Sequence, residues 1–138
     1  MPVAGGRAMQ ITTNPAYDTA PVWSPDSKRI AFASDRMGSL DVYIVSKDGG
    51  EPRRLTTHSG SETPLAFTDA GHVLFSAGIM PSAEAVVFPS NGQFNQVYRV
   101  SVEGGRPTMI SSMPMECISI NKEGAMLYQD KKGYEDYW

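Results

Sequence analysis

Residues 22–56 read VWSPDSKRIAFASDRMGSLDVYIVSKDGGEPRRLT, three apolar bursts separated by Asp, Ser, Gly and Pro. The separators are turn chemistry. Pro25 fixes φ ahead of Asp26 and Ser27, small polar residues that bond local backbone. Asp48-Gly49-Gly50 tolerates the positive φ that a tight hairpin needs. Links this short force antiparallel neighbours, and the spacing predicts strands over residues 20–23, 29–33, 41–46 and 52–56. In IAFA, Ile30 and Phe32 face one way while Ala31 and Ala33 face the other. In VYIV, around Tyr43, both faces are again apolar. A sheet with one wet face would alternate apolar with polar. These strands therefore ask for cover on both sides.

The same marks recur along the chain. GGRAMQIT begins at Gly5, GGEPRRLT at Gly49 and GGRPTMIS at Gly104. Each places an aliphatic residue six positions after the first Gly (Ile11, Leu55, Ile110), then a hydroxyl residue. DVYIVSKD at 41–48 aligns without a gap on QVYRVSVE at 96–103, which puts Tyr98 opposite Tyr43 and Gly104-Gly105 opposite Gly49-Gly50. WSPDSKRIAF from Trp23 corresponds to FTDAGHVLF from Phe67, one residue shorter, and INKEGAMLY follows from Ile120. The Gly pairs lie 44 and then 55 residues apart, so unit two carries an insertion over roughly residues 78–95.

A period of about 44 residues holding four short strands, each sheet covered on both faces, fits the blades of a β-propeller. A β-sandwich also suits short strands with frequent turns, but it gives no reason for three marks to recur in one order. The expectation is an all-β chain of about three four-stranded antiparallel units in an incomplete ring. Residues 1–19 supply the outer strand (8–12) and link of a preceding blade. Residues 20–56 form a blade, 57–111 a blade with the insertion, and 112–138 an incomplete blade.

Unit one resembles the repeat of TolB-like propellers, which combines a Trp-Ser-Pro-Asp-Gly turn, an Ile-Ala-Phe strand, Ser-Asp-Arg, an Ile-Tyr strand, Asp-Gly-Gly and Leu-Thr. Here Ser27 stands where that pattern has Gly. Unit two lacks the Ser-Pro and the Ser-Asp-Arg. The tail, MLYQDKKGYEDYW, is similar to the N-terminal propeller of tricorn-type serine peptidases. The resemblance implies a domain without catalysis of its own that binds protein or peptide, or gates access to a periplasmic peptidase within a longer polypeptide. A TolB-like cell-envelope scaffold and an independent hydrolase are the alternatives.

Composition narrows the classes. Apolar residues at 41% support a real core, and charged residues at 20% argue against wholesale disorder. A net charge of −3 with no Lys/Arg cluster disfavours nucleic acid. No apolar run approaches the length of a membrane span. Cys117 is the single cysteine, in an alternating apolar stretch, and reads as a packed small hydrophobe. His58 and His72 fall in different units, and no G-x-S-x-G or metal-ligand spacing is present. On that spacing no metal is expected, and no cofactor either, because GGRAM and GGRPT lead into strands rather than the helix a nucleotide's phosphate cradle needs. Ser34-Asp35-Arg36 reads as a loop brace, with the carboxylate capping backbone N–H groups and Arg36 pairing nearby.

The insertion is the binding candidate. Its apolar residues Met80, Val86, Val87, Phe88 and Phe94 suit contact with a peptide or neighbouring domain, or folding back over their own blade. The repeat scaffold rests on Trp23, Pro25, Asp26, Phe32, Asp35, Arg36, Tyr43, Gly49, Gly50, Tyr98, Gly104 and Gly105. Open ends suggest two further partners: the rest of a longer polypeptide, or a second copy whose strands complete the ring as a homodimer.

Overall fold

A computed structural model describes residues 5–57, 60–78, 95–111, 115–121 and 125–130. The described residues are all-β. Blade one is the sheet β1 (Asp18–Trp23), β2 (Arg29–Ser34), β3 (Asp41–Ser46) and β4 (Arg53–Arg54), in that spatial order. Blade two is β5 (Glu62–Asp69), β6 (His72–Gly78), β7 (Asn95–Ser101) and β8 (Thr108–Ser111). A two-stranded sheet, β9 (Met115–Ile120) with β10 (Met126–Asp130), follows. Every pairing is antiparallel.

The two four-stranded sheets share one register. Phe32 sits opposite Tyr43 in blade one, and Phe75 sits opposite Tyr98 in blade two. Both pairs stack, with centroids 5.9 and 5.6 Å apart. Alternation along each strand then gives every blade an aromatic face and a face of smaller side chains. Blade one turns its smaller face, with Ala31, Val42 and Ile44, onto blade two's aromatic face, with Phe75, Val73 and Val100. Blade two's opposite face, Leu74 and Val97, meets Ile120 and Met126 of the third sheet. The sheets therefore stack in one direction, small face on aromatic face. Leu127 carries that order to the far side of the third sheet, where it stands 75% exposed.

Inter-blade hydrogen bonds fix the stack at both ends. Arg29 and Arg53 of blade one donate to the carbonyls of Ala70 and Val102. At the opposite end the Glu62 amide donates to the Leu40 carbonyl at 2.7 Å. The inner strands β1, β5 and β9 lie side by side, whereas β4 and β8 make their main contacts within their own sheets. The blades thus fan outward from an axis lined by their first strands.

Two expectations change. Residues 8–12, expected as an outer strand, do not form one, and among the described residues no neighbouring strand lies beside them to share backbone bonds. Ile11 instead packs on blade one's aromatic face beside Phe32, Tyr43 and Val45. The outer strand over 52–56 shortens to Arg53–Arg54. Leu55 still donates to the Val42 carbonyl at 2.8 Å, but the next bond runs from the Val42 amide to the Thr56 hydroxyl at 2.9 Å, so a side chain takes over from the ladder.

Candidate functional site

The first strands end in turns at one end of the stack, and between those turns lies a groove of about 700 Å³. Blade one contributes Val22, Trp23 and Pro25. Blade two contributes Leu65 to Asp69, and the third sheet Ser119 to Asn121. The turn that presents Trp23 is tightly bonded. Ser24 Oγ donates to Asp26 Oδ1 at 2.6 Å, and the Arg29 and Lys28 amides donate to Ser24 Oγ and Asp26 Oδ1 at 2.9 and 3.1 Å. These bonds hold the Asp26 carboxyl below its ordinary value, the Ser24 hydroxyl contributing most. Blade two builds the same turn one residue shorter, with the Gly71 amide donating to Asp69 Oδ1 at 2.6 Å. Burial opposes ionisation of Asp69, but the Gly71 amide and the His72 ring 3.1 Å away outweigh it and lower the pKa.

The groove has an apolar wall of Val22, Leu65 and Ala66, and a polar rim of Thr68, Asp69, Ser119 and Asn121. Such a surface can hold an extended segment, burying apolar side chains while the rim bonds its backbone. Phe67 and Trp23 occupy equivalent places with different exposure. Phe67 is covered by blade one and is 5% exposed, whereas Trp23 is 58% exposed.

The loop brace lies at the other end of the stack. Asp35 Oδ1 accepts from the Tyr17 amide at 2.9 Å, and Arg36 pairs with Asp18 at 3.1 Å. Phe32 and Tyr43 are buried, and Tyr98 is half-buried with its hydroxyl donating to Gln96 Oε1 at 2.8 Å. Gly49, Gly50, Gly104 and Gly105 all take positive φ at the outer hairpins. Met80, Val86, Val87, Phe88 and Phe94 lie outside the described residues. The sequence reading assigns Trp23 to the repeat scaffold alone. Its place in the groove follows from the convergence of three first strands, which no local pattern encodes. The described residues hold no group of three or more His, Cys, Asp or Glu placed to bind a metal ion.

The family described as "Tricorn protease N-terminal beta propeller domain" matches residues 1–138. The chain belongs to that family. It is 37% identical over 76 residues to a Bacillus subtilis protein named "Uncharacterized peptidase YuxL", covering 54% of this chain and 12% of that one. It is 40% identical over 47 residues to the Tol-Pal system protein TolB of Bordetella pertussis, covering 34% of this chain and 11% of that one. Two solved structures share the fold. A TolB-type protein from Agrobacterium tumefaciens matches with a TM-score of 0.57 at 22% identity, over 73% of this chain and 35% of that one. TolB from Acinetobacter baumannii matches with a TM-score of 0.58 at 18% identity, over 79% and 25%. This chain thus spans a minor part of the length of each of these relatives.

Proposed function

We propose that this propeller segment is a non-catalytic module that holds an extended protein or peptide segment in the groove beside Trp23. Its role is that of a substrate-gating or accessory domain of a tricorn-like serine peptidase outside the cytoplasm. The groove carries the reading: its polar rim and apolar wall come from the first strands of successive blades, so a segment lying there touches several repeats at once. Membership of the tricorn propeller family and the similarity to a named peptidase support the accessory role. No helix among the described residues is long and apolar enough to cross a membrane. The 40% identity to TolB favours a second reading, a cell-envelope interaction scaffold using the same groove.

Reduced, carboxymethylated lactalbumin, a permanently unfolded polypeptide, is a suitable probe. Its binding is followed by anisotropy of a label on the lactalbumin. Trp23→Ala and Thr68→Arg each weaken capture by about tenfold, while a change at the exposed Met37 on the opposite end leaves it unaltered. Equal capture by wild type and both groove variants would remove the site. Turnover on a peptidase and glycosidase panel would replace the reading with an enzyme.

A further inference from the structure

The inner edges of the first two blades are closed to strand addition. β1 and β5 each lie at the edge of their sheet, and a free edge ordinarily accepts a further strand. β1 carries Pro21, which has no N–H, beside Ala20 at a φ of 50° and a register shift between Thr19 and Val22. β5 carries Pro64, and its register shifts between Pro64 and Ala66 and again between Phe67 and Asp69. Prolines and bulges blunt an edge. A segment lying in the groove beside Trp23 is therefore held by side chains and not added to either sheet.

Those side chains are apolar at the wall and anionic at the rim. Val22, Trp23 and Leu65 offer aliphatic and aromatic surface, with Trp23 well exposed. Asp69 is the one charged residue among the described residues that line the groove, and its side chain is 56% exposed. Burial opposes its ionisation, but the Gly71 amide and the His72 ring keep it charged near neutrality. Among the described residues its ion-pair partner is His72, at 3.1 Å. The cations of blade one's turn are placed elsewhere. Lys28 and Arg29 border a separate cavity with Ile44 and Val45, and Arg29 donates to the Ala70 carbonyl.

We propose that the groove selects segments carrying a lysine or arginine among apolar residues, the cation meeting Asp69 while the apolar side chains lie along Val22, Trp23 and Leu65. This selection rests on the groove holding a peptide segment, and it names the kind of segment held. The aliphatic stem of a basic residue covers apolar wall while its charged head stays at the wet rim. An acidic segment brings like charge to Asp69 and is disfavoured.

Calorimetric titration of the 138-residue chain compares acetyl-Gly-Leu-Arg-Val-Gly-amide with the same peptide carrying Gln or Glu in place of Arg. The Arg peptide binds about threefold tighter than the Gln peptide, and the Glu peptide about threefold weaker. Salt at about 1 M narrows both differences. Asp69→Asn removes the preference, and its amide oxygen still accepts from Gly71, so the turn keeps that bond. Ser119→Asp provides a second route that leaves Asp69 in place: it adds a carboxylate at the exposed rim and tightens the Arg peptide alone. Equal binding of the three peptides, or a preference for Arg that survives in folded Asp69→Asn, overturns the selection for a basic residue. If the peptides nonetheless lose affinity in Trp23→Ala, the groove stands and only its charge preference falls. Failure of all three peptides at concentrations on the order of 10 mM overturns the selection as well. Capture of unfolded lactalbumin that depends on Trp23 would then still uphold the groove, and its absence would remove both.

Discussion

Phe32 with Tyr43 and Phe75 with Tyr98 are one ring pair placed twice in the same register, yet their surroundings differ. The blade-two rings lie against a whole sheet, the smaller face of blade one. The blade-one rings are covered by single side chains, Ile11 and Arg36. The repeat therefore supplies a face that accepts either a blade or a few well-aimed groups. Truncation separates the two cases. Phe75→Ala opens a cavity inside the inter-blade core and costs about 3–5 kcal/mol. Phe32→Ala costs about 2 kcal/mol, since its thinner cover can collapse into the space. Urea melts of the two variants measure the difference. Equal losses would mean that blade stacking adds nothing to the packing within each sheet.

The second test concerns the charge that blade one keeps for itself. Removing the Arg36 guanidinium strips Asp18 of an ion pair and uncovers both rings, at a cost of roughly 1–3 kcal/mol. The loss depends on pH. Burial works against ionisation of Asp18, but hydrogen bonds from Ser34, Thr12 and Arg36 prevail and hold its pKa below the ordinary 3.8. A depressed carboxyl pKa contributes stability that is present above 3.8 and is lost as pH falls through the folded-state value. The gap between wild type and Arg36→Ala is therefore constant near neutrality and narrows in acid. Thermal melts across that range check it. A gap that stays unchanged into strong acid would assign Arg36 a packing role without the ion pair.

Much of this architecture was legible from the order of residues. The unit boundaries follow from Gly pairs and aromatic strand ends, since each blade must repeat its own turns. The division of Ile30 and Phe32 from Ala31 and Ala33 follows from strand alternation alone, and the structure places those faces as alternation requires. The outer strand over 8–12 was not legible in the same way, because a strand needs a neighbour and residues 8–12 have none among the described residues. The groove beside Trp23 was invisible for another reason. It is assembled from residues on three sheets, and its geometry depends on how blades meet.

The smallest expected effect concerns the turns at the groove. Blade one reaches from Trp23 to β2 with one residue more than blade two uses after Phe67, and the backbone at Ser27 takes a φ of 56°. A side chain in that left-handed region costs about 1 kcal/mol relative to glycine. Blade two's turn places no described residue at positive φ. Ser27→Gly relieves the strain while adding freedom to the unfolded chain, so the net gain is about 0.5 kcal/mol. The Ser27 hydroxyl takes no part in the bonds among Ser24, Asp26, Lys28 and Arg29, so the turn keeps its lock. Ala20, at φ 50° where the β1 register shifts, offers a matched comparison away from the turn. A gain from Ala20→Gly together with a loss from Ser27→Gly, read from urea midpoints at unchanged slope, would show that the longer turn draws stability from the serine itself, and blade one's turn would then differ from blade two's in chemistry as well as length.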